Sequence, residues 1–116
     1  MLGEGIAIDL VGAVIAQALA ILITFHVETE TADTIADGVA VRVPVPEAVA
    51  DMRGLVEDVV LVDDDTTRRA MELTRRHAGL IVEPAGVLGV AAILKDPDRY
   101  KDRSIATILC GSNAQA

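Results

Sequence analysis

The amino-acid sequence predicts an α/β protein in three layers, with helices on both faces of a mostly parallel sheet. Short apolar runs rich in β-branched residues alternate with longer segments of helical pattern, as in chains whose parallel strands are joined by helices. The 116 residues suit one domain with a modest core. Because the chain has one Phe, one Tyr and no Trp, aliphatic residues must supply that core. We therefore expect a single domain over residues 1–116.

The N-terminal part contains a long apolar stretch, from Gly5 to Phe25. A stretch of roughly 20 residues is long enough to cross a bilayer. Asp9 and Gln17 interrupt it, however, and no Lys or Arg precedes it, unlike the basic start of a signal peptide. We predict a covered helix over residues 5–20 and a buried strand over residues 21–27, with a transmembrane span as the alternative. No membrane partner is expected.

The middle of the chain is predicted to hold a loop, a short helix and a strand. Residues 28–45 contain Gly and Pro and indicate an irregular connection. Pro46 suits the first position of a helix, because an N–H there would have no partner inside the helix. We expect this helix to end near Gly54. The apolar run over residues 59–62 predicts a strand.

The clearest helix signal follows that strand. Acidic residues 63–65 cap the start of the helix, basic residues 75–77 come last in it, and Gly79 closes it. This order of charges matches the helix dipole, and a glycine is the preferred residue just beyond a helix C-terminus. Both ends of the helix are therefore predicted from the sequence.

The last third of the chain is predicted to hold one more helix between two strands. Residues 80–82 form a short apolar run, and Pro84 can open a helix that continues to Lys95. The charged segment 96–103 predicts a polar turn, and the apolar run 104–110 predicts a final buried strand. That strand ends at the only cysteine of the chain.

Composition argues against several classes of function. The chain has 18 Asp and Glu against 10 Lys and Arg, and its formal net charge of −8 repels nucleic-acid backbones. One Phe and one Tyr offer bases little to stack on. A single cysteine cannot form an internal disulfide, which fits a reducing, cytoplasmic compartment. With two His and one Cys, a zinc site is disfavoured. We expect neither a nucleic-acid partner nor a metal.

Four segments, taken in order, resemble one enzyme family. They are residues 31–44, which include TIADG, residues 56–65, residues 79–94, which include VEPAG, and residues 108–113, ILCGSN. Together they are similar to the C-terminal part of the fold-type II pyridoxal-phosphate (PLP) enzymes, which include threonine and serine dehydratases, serine racemase and the tryptophan synthase beta superfamily. The resemblance covers residues 29–113 and is weakest over residues 1–28. It implies part of the large domain of that fold.

The resemblance gives the cysteine a role. Cys110 stands where the family has a Ser, Thr or Cys that faces the pyridine nitrogen of the cofactor, and Gly111 and Asn113 match the turn that follows. A neutral thiol there leaves the nitrogen largely unprotonated, which weakens the ring as an electron sink and favours β-elimination. The alternative is a small apolar cysteine buried at the end of a strand.

Two further positions are implied to lie beside the cofactor. Glu83 matches a Glu-Pro pair next to the pocket, where it could help to set the polarity near the ring. Its alternative role is that of a carboxylate stabilising a helix N-terminus. The Asp37–Gly38 pair would line the mouth of the pocket, although Asp-Gly is also an ordinary turn sequence.

The cofactor phosphate has a weaker counterpart. The family holds it in a glycine-rich loop at a helix N-terminus, and Gly3 and Gly5 resemble a remnant of that loop. Glu4 lies between them, and two like unit charges about 4 Å apart repel by about 4 kcal/mol at an effective dielectric of about 20. PLP is therefore the implied cofactor, with Glu4 opposing the binding of its phosphate.

The sequence departs from the family in two further ways. The family's lysine, whose amine bonds to the cofactor aldehyde, lies in a Ser-x-Lys motif, whereas Lys95 and Lys101 are the only lysines here and match no such motif. No catalytic residue is predicted. A helical excursion that supplies carboxylates for a divalent cation in some members is also missing. Glu28 and Glu30 are the nearest carboxylates, and we interpret them as solvated loop charges.

Two functional hypotheses remain open. The favoured one is a truncated or engineered C-terminal half of a PLP-dependent amino-acid ammonia-lyase of the threonine or serine dehydratase type, inactive alone and able to self-associate as a homodimer or larger homo-oligomer. The alternative is a functional subunit of a dehydratase or racemase that is active with a complementary N-terminal half. In either case the apolar surface and sheet edge left without the other half are expected to be covered by a partner.

Overall fold

A computed structural model describes residues 33–40, 42–43, 45–55 and 59–111. The helix predicted over residues 5–20 and the strand predicted over residues 21–27 lie outside the described residues. The described helices are a 3-10 helix Asp37–Val39, α1 Pro46–Met52, α2 Asp64–Ala78, a 3-10 helix Pro84–Val87, α3 Leu88–Lys95 and α4 Pro97–Tyr100. In this described part, no helix combines the length and the apolar character that a bilayer span needs.

Helix α2 begins and ends where the sequence predicts. The Asp63 carboxylate caps it by accepting a hydrogen bond from the Thr66 N–H at 2.7 Å. Gly79 ends it in a left-handed conformation, with φ of 68°, and donates its N–H to the Arg75 carbonyl. The predicted short helix is also confirmed, since α1 starts at Pro46 and is followed by a turn at Gly54.

The core lies between α2, α3 and the second 3-10 helix. Ala70 lies three or four residues from each of the other buried residues of α2, so that all of them lie on one face of the helix: Thr66, Thr67 and Thr74. Ala70 and Ala91 are fully buried and let α2 and α3 approach closely. The buried apolar cluster consists of Ala36, Val60, Val62, Ala70, Val82, Val87, Leu88, Ala91 and Ala92.

The three strands predicted after residue 58 are not formed as strands, since none of the described residues belongs to a β-ladder. The apolar pattern still predicts burial correctly in two of them, because Val60, Val62 and Val82 are buried. Segments 80–82 and 104–110 are joined just beyond their ends, where the Glu83 N–H donates a hydrogen bond to the Gly111 carbonyl at 2.7 Å. An apolar run specifies burial by itself, whereas a ladder also requires a neighbouring strand in register.

Two other boundaries differ from the prediction. The helix predicted from Pro84 starts as a 3-10 turn, in which the Gly86 N–H bonds to the Glu83 carbonyl, and becomes α-helical at Leu88. The segment predicted as a polar turn contains α4. Asp96 caps α4 by accepting from the Arg99 N–H at 3.3 Å. The Asp-Pro pair favours a helix start as much as a turn, and this explains the error.

Candidate functional site

Glu83 and Gly111 lie against each other. The Glu83 N–H donates to the Gly111 carbonyl at 2.7 Å. Gly111 has a left-handed backbone with φ of 74°, and a Cβ at this position would overlap Cγ and Cδ of the Glu83 side chain. Glycine is thus required at residue 111 for two reasons, its conformation and the space that Glu83 occupies.

The Glu83 carboxylate also lies close to the turn that contains Gly38. A Cβ built on Gly38 would be 3.7 Å from Oε1 of Glu83 and 3.3 Å from Cβ of Ala85. Glu83 is half-buried between this turn and Gly111. Three segments that are far apart in the sequence therefore meet at one carboxylate.

Cys110 and Gly86 make a second close contact beside the first. A Cβ on the buried Gly86 would overlap the carbonyl group of Cys110, so the absence of a side chain lets the two backbones touch. Cys110 is a free cysteine and an exposed residue. The alternative prediction of a buried cysteine is therefore wrong.

Glu83 does not act as a capping residue. It occupies the N-cap position of the 3-10 helix Pro84–Val87, but its side chain accepts no capping hydrogen bond from that helix. Asp63 at the start of α2 does cap, with two hydrogen bonds from Thr66. The Thr66 backbone N–H and then the Thr66 hydroxyl hold the pKa of the Asp63 carboxyl below its ordinary value. The two carboxylates at helix starts therefore serve different purposes.

The turn that contains Gly38 is tied to α2 by contacts that the sequence analysis did not predict. The Thr34 hydroxyl donates to Oδ1 of Asp64 at 2.7 Å, and the Ile35 N–H lies 3.3 Å from both oxygens of the same carboxylate. The Thr34 hydroxyl also accepts from the Ala36 N–H at 3.2 Å. The sequence did contain a signal for this contact, because a helix cap uses one aspartate and three consecutive aspartates stand at the start of α2.

The structure brings together the predicted site residues that it describes. Cys110, Gly111 and Glu83 meet beside the Asp37–Gly38 turn, and Asp37 itself is exposed. The other three predicted cofactor-binding residues, Gly3, Gly5 and Asn113, lie outside the described residues, as do Glu28 and Glu30. Within the described ranges, no three His, Cys, Asp or Glu residues are grouped closely enough to hold a metal ion.

The cluster matches one side of a PLP site better than the other. Cys110 is exposed and precedes Gly111, which contacts the half-buried Glu83, and a thiol in this position would suit the ring-nitrogen side of the cofactor. The aldehyde side needs an amine, but the Lys95 ammonium donates to the carbonyl of Leu61, and Lys101 is an exposed residue at the end of α4. The residues present therefore fit the ring and not the covalent attachment.

Comparison with known proteins relates the chain to one family. A family model described as pyridoxal-phosphate dependent enzyme matches residues 3–111. The catabolic L-threonine dehydratase TdcB of Staphylococcus aureus (strain USA300) is 34% identical over 83 residues, which are 69% of this chain and 24% of that protein. The chain thus spans about a quarter of the length of the curated relatives that it matches.

Solved structures show the same relationship in three dimensions. Maize serine racemase superimposes with a TM-score of 0.75 at 28% identity, over 86% of this chain and 32% of that one. The T.th. threonine deaminase gives a TM-score of 0.76 at 24% identity, over 87% of this chain and 38% of that one. The second similarity is one of fold alone, and both are consistent with the predicted α/β class.

Proposed function

Because the chain belongs to the family of pyridoxal-phosphate dependent enzymes, we propose that it forms the ring-nitrogen side of a cofactor site of the threonine dehydratase type. The resemblance predicted from four segments is thereby confirmed, while the reaction and the cofactor bound by this chain belong to the proposal. We further propose that the complete domain is cytoplasmic and has the family's three-layer arrangement, with helices on both faces of the sheet.

The observation that carries this proposal is the meeting of three segments at Glu83. Gly38, Gly111 and Gly86 each lack a side chain where one would collide with, or press against, a residue of another segment. Glycines used in this way let backbones approach closely around a small site. The same three segments carry the residues that the family resemblance assigns to the cofactor.

Each residue has a distinct part in the proposed site. When bound, the cofactor ring supplies an electron sink for reactions of amino acids. A neutral Cys110 thiol is a weak hydrogen-bond donor, so beside the ring nitrogen it leaves that atom largely unprotonated. The Glu83 side chain contacts Gly111 and lies near the Gly38 turn, where it would help to set the polarity near the ring.

We propose that the chain alone does not catalyse. The chain has two lysines, and the Lys95 ammonium is engaged by the Leu61 carbonyl. An ammonia-lyase reaction of this family needs an amine at the aldehyde side of the cofactor. In the alternative proposal, a complementary N-terminal half supplies this amine.

Binding of PLP without covalent attachment tests the proposal. PLP is titrated into the 116-residue chain, and its own fluorescence and absorbance report binding, since the protein contains no Trp. Pyridoxine 5′-phosphate, which lacks the aldehyde, is the matched ligand and is expected to bind equally well. Cys110→Ser should keep the affinity, whereas Cys110→Ala should weaken it by roughly 3- to 10-fold, the value of one hydrogen bond.

Three results would contradict this proposal. One is an absence of saturable binding to the wild type, and another is an affinity that Cys110→Ala leaves unchanged. The third is a stoichiometric adduct on Lys95 or Lys101 alone after borohydride reduction with PLP, because it would show that the chain holds the cofactor covalently. The expected result of this reduction, measured by intact mass analysis, is a set of scattered substoichiometric adducts.

We also propose that the chain self-associates through exposed apolar residues of segments 80–82 and 104–110. Leu80, Ile81, Ile105 and Ile108 are exposed, and Ile108 most of all, at 83%. A second copy or a complementary half would cover such a surface. Size-exclusion chromatography with light scattering should give a mass above 12.2 kDa, and Ile108→Asp should lower it. A wild-type monomer at high concentration would rule out self-association.

A further inference from the structure

Three consecutive aspartates at the start of α2 have three different sets of partners. Asp63 caps the helix through Thr66. Asp65 pairs with Arg68 at 2.9 Å on the surface, where its side chain is 92% exposed. Asp64 instead accepts hydrogen bonds from Thr34 and Ile35, about 30 residues earlier in the sequence. Only the middle aspartate links α2 to the turn beside Glu83.

The Thr34 hydroxyl transmits this link along the backbone. It donates to Asp64 at 2.7 Å and accepts from the Ala36 N–H at 3.2 Å, so one oxygen connects the carboxylate to the next two residues of the chain. Ala36 is 2% exposed and packs in the core. The 3-10 helix Asp37–Val39 follows at once and places Gly38 against Ala85 and Glu83.

We infer that Asp64 is a positioning residue, which acts through Thr34 to fix the turn of Asp37–Val39 against Glu83. The inference deepens the proposed function, because this turn then forms one wall of the cofactor site. Asp64 would thus fix the position of the Asp37–Val39 turn without contacting a ligand itself. Loss of the Asp64 carboxylate should release the turn and leave the body of α2 folded.

Amide hydrogen exchange tests the link directly. The Val39 and Ala40 N–H groups bond to the Ala36 and Asp37 carbonyls and not to Asp64, so their exchange reports the order of the turn and not the loss of a direct bond. In Asp64→Ala we expect these two amides to exchange about tenfold faster or more, as for the loss of hydrogen bonds to a charged group. Asp65→Ala, with the same loss of charge in the same helical turn, should leave them unchanged.

The Thr34 variants separate positioning from a general loss of stability. Thr34→Ser retains the hydroxyl and should exchange like the wild type at Val39 and Ala40, whereas Thr34→Val should exchange like Asp64→Ala. Amides in the middle of α2, such as that of Ala70, should be unaffected in both. Equal exchange in Asp64→Ala and Asp65→Ala would overturn the inference, and so would a Thr34→Val variant that matches the wild type. If Asp64→Ala fails to fold, the Thr34 pair decides.

Binding of PLP distinguishes this inference from the proposed function. If the wild type binds PLP, Asp64→Ala should bind it several-fold more weakly and Asp65→Ala equally well. Equal affinity in all three would show that the turn is not a wall of the site. If the wild type does not bind PLP, the proposed function fails, while the exchange experiment still decides whether Asp64 positions the turn.

Discussion

Gly79 and Gly111 have nearly the same φ angle but belong to two differently built regions. Their φ angles are 68° and 74°, in the left-handed region that favours glycine. A Cβ on Gly79, at the end of α2, would have nothing within 4 Å, whereas a Cβ on Gly111 would overlap the Glu83 side chain. Glycine is favoured at residue 79 by the φ angle alone. At residue 111 it is favoured by the φ angle and also because the Glu83 side chain leaves no space for a Cβ.

The regions around the two glycines differ in the same way. Helix α2 is held at its surface by partners close in the sequence, such as Asp63 with Thr66 and Arg75 with Glu72. The cluster around Glu83 depends on contacts between segments that only the fold brings together. Local contacts can persist when the rest of the chain loosens. The cluster, in contrast, requires all of its segments to be in place, as a binding site does.

Alanine substitution at the two glycines should produce the largest difference between the regions. Gly79→Ala incurs only the conformational cost of about 1–2 kcal/mol. Gly111→Ala incurs a similar cost and in addition overpacking of about 1–3 kcal/mol, so we expect a total loss of about 2–5 kcal/mol. Urea unfolding followed by circular dichroism measures both free energies of unfolding.

A double variant identifies the cause of that difference. Glu83→Ala removes the atoms that a Cβ on residue 111 would meet, so Gly111→Ala should be less harmful in the Glu83→Ala background. The same second substitution should not change the effect of Gly79→Ala. If the two glycine substitutions cost the same, the contact between Glu83 and Gly111 does not constrain the fold, and the comparison between the regions fails.

The extent of sequence-based prediction follows the same division. Both ends of α2 were predicted, because a capping aspartate, a basic last turn and a terminal glycine act within one or two turns of the helix. The start of α1 at Pro46 was predicted for a similar reason. The three strands after residue 58 were predicted from apolar runs and are not formed among the described residues, because pairing is a property of two segments and one sequence window contains only one of them.

The residues of the candidate site could be proposed from the sequence only where a family pattern was available. Glu83, Gly111 and the Asp37–Gly38 turn were chosen by resemblance, and nothing in the spacing of these residues indicates that they meet. The role of Asp64 was missed, since its partner Thr34 is far away in the sequence and each residue alone suits an ordinary turn or helix start. A surplus of aspartates beyond the needs of one cap was the available signal.

The smallest expected effect is the loss of stability at low pH that comes from the Asp63 cap of α2. The Thr66 backbone N–H, followed by the Thr66 hydroxyl, holds the pKa of Asp63 below its ordinary value of 3.8. A carboxyl whose pKa is lower in the folded state stabilises the protein above its unfolded pKa, and this contribution disappears as the pH falls through the folded pKa. Asp63→Asn retains an oxygen that can cap α2 but removes the titration. As the pH falls below 3.8, the melting temperature of the wild type should therefore fall further than that of Asp63→Asn.

Asp65→Asn is the control for the acid experiment, because it removes one charge from the same turn without removing the cap. Its melting temperature should follow the wild type down through the acid range. Parallel curves for the wild type and Asp63→Asn would mean that α2 does not depend on the charged cap. In that case α2 would not be stabilised by its local capping hydrogen bonds, and it would no longer contrast in this respect with the cluster around Glu83, which depends on packing against glycines.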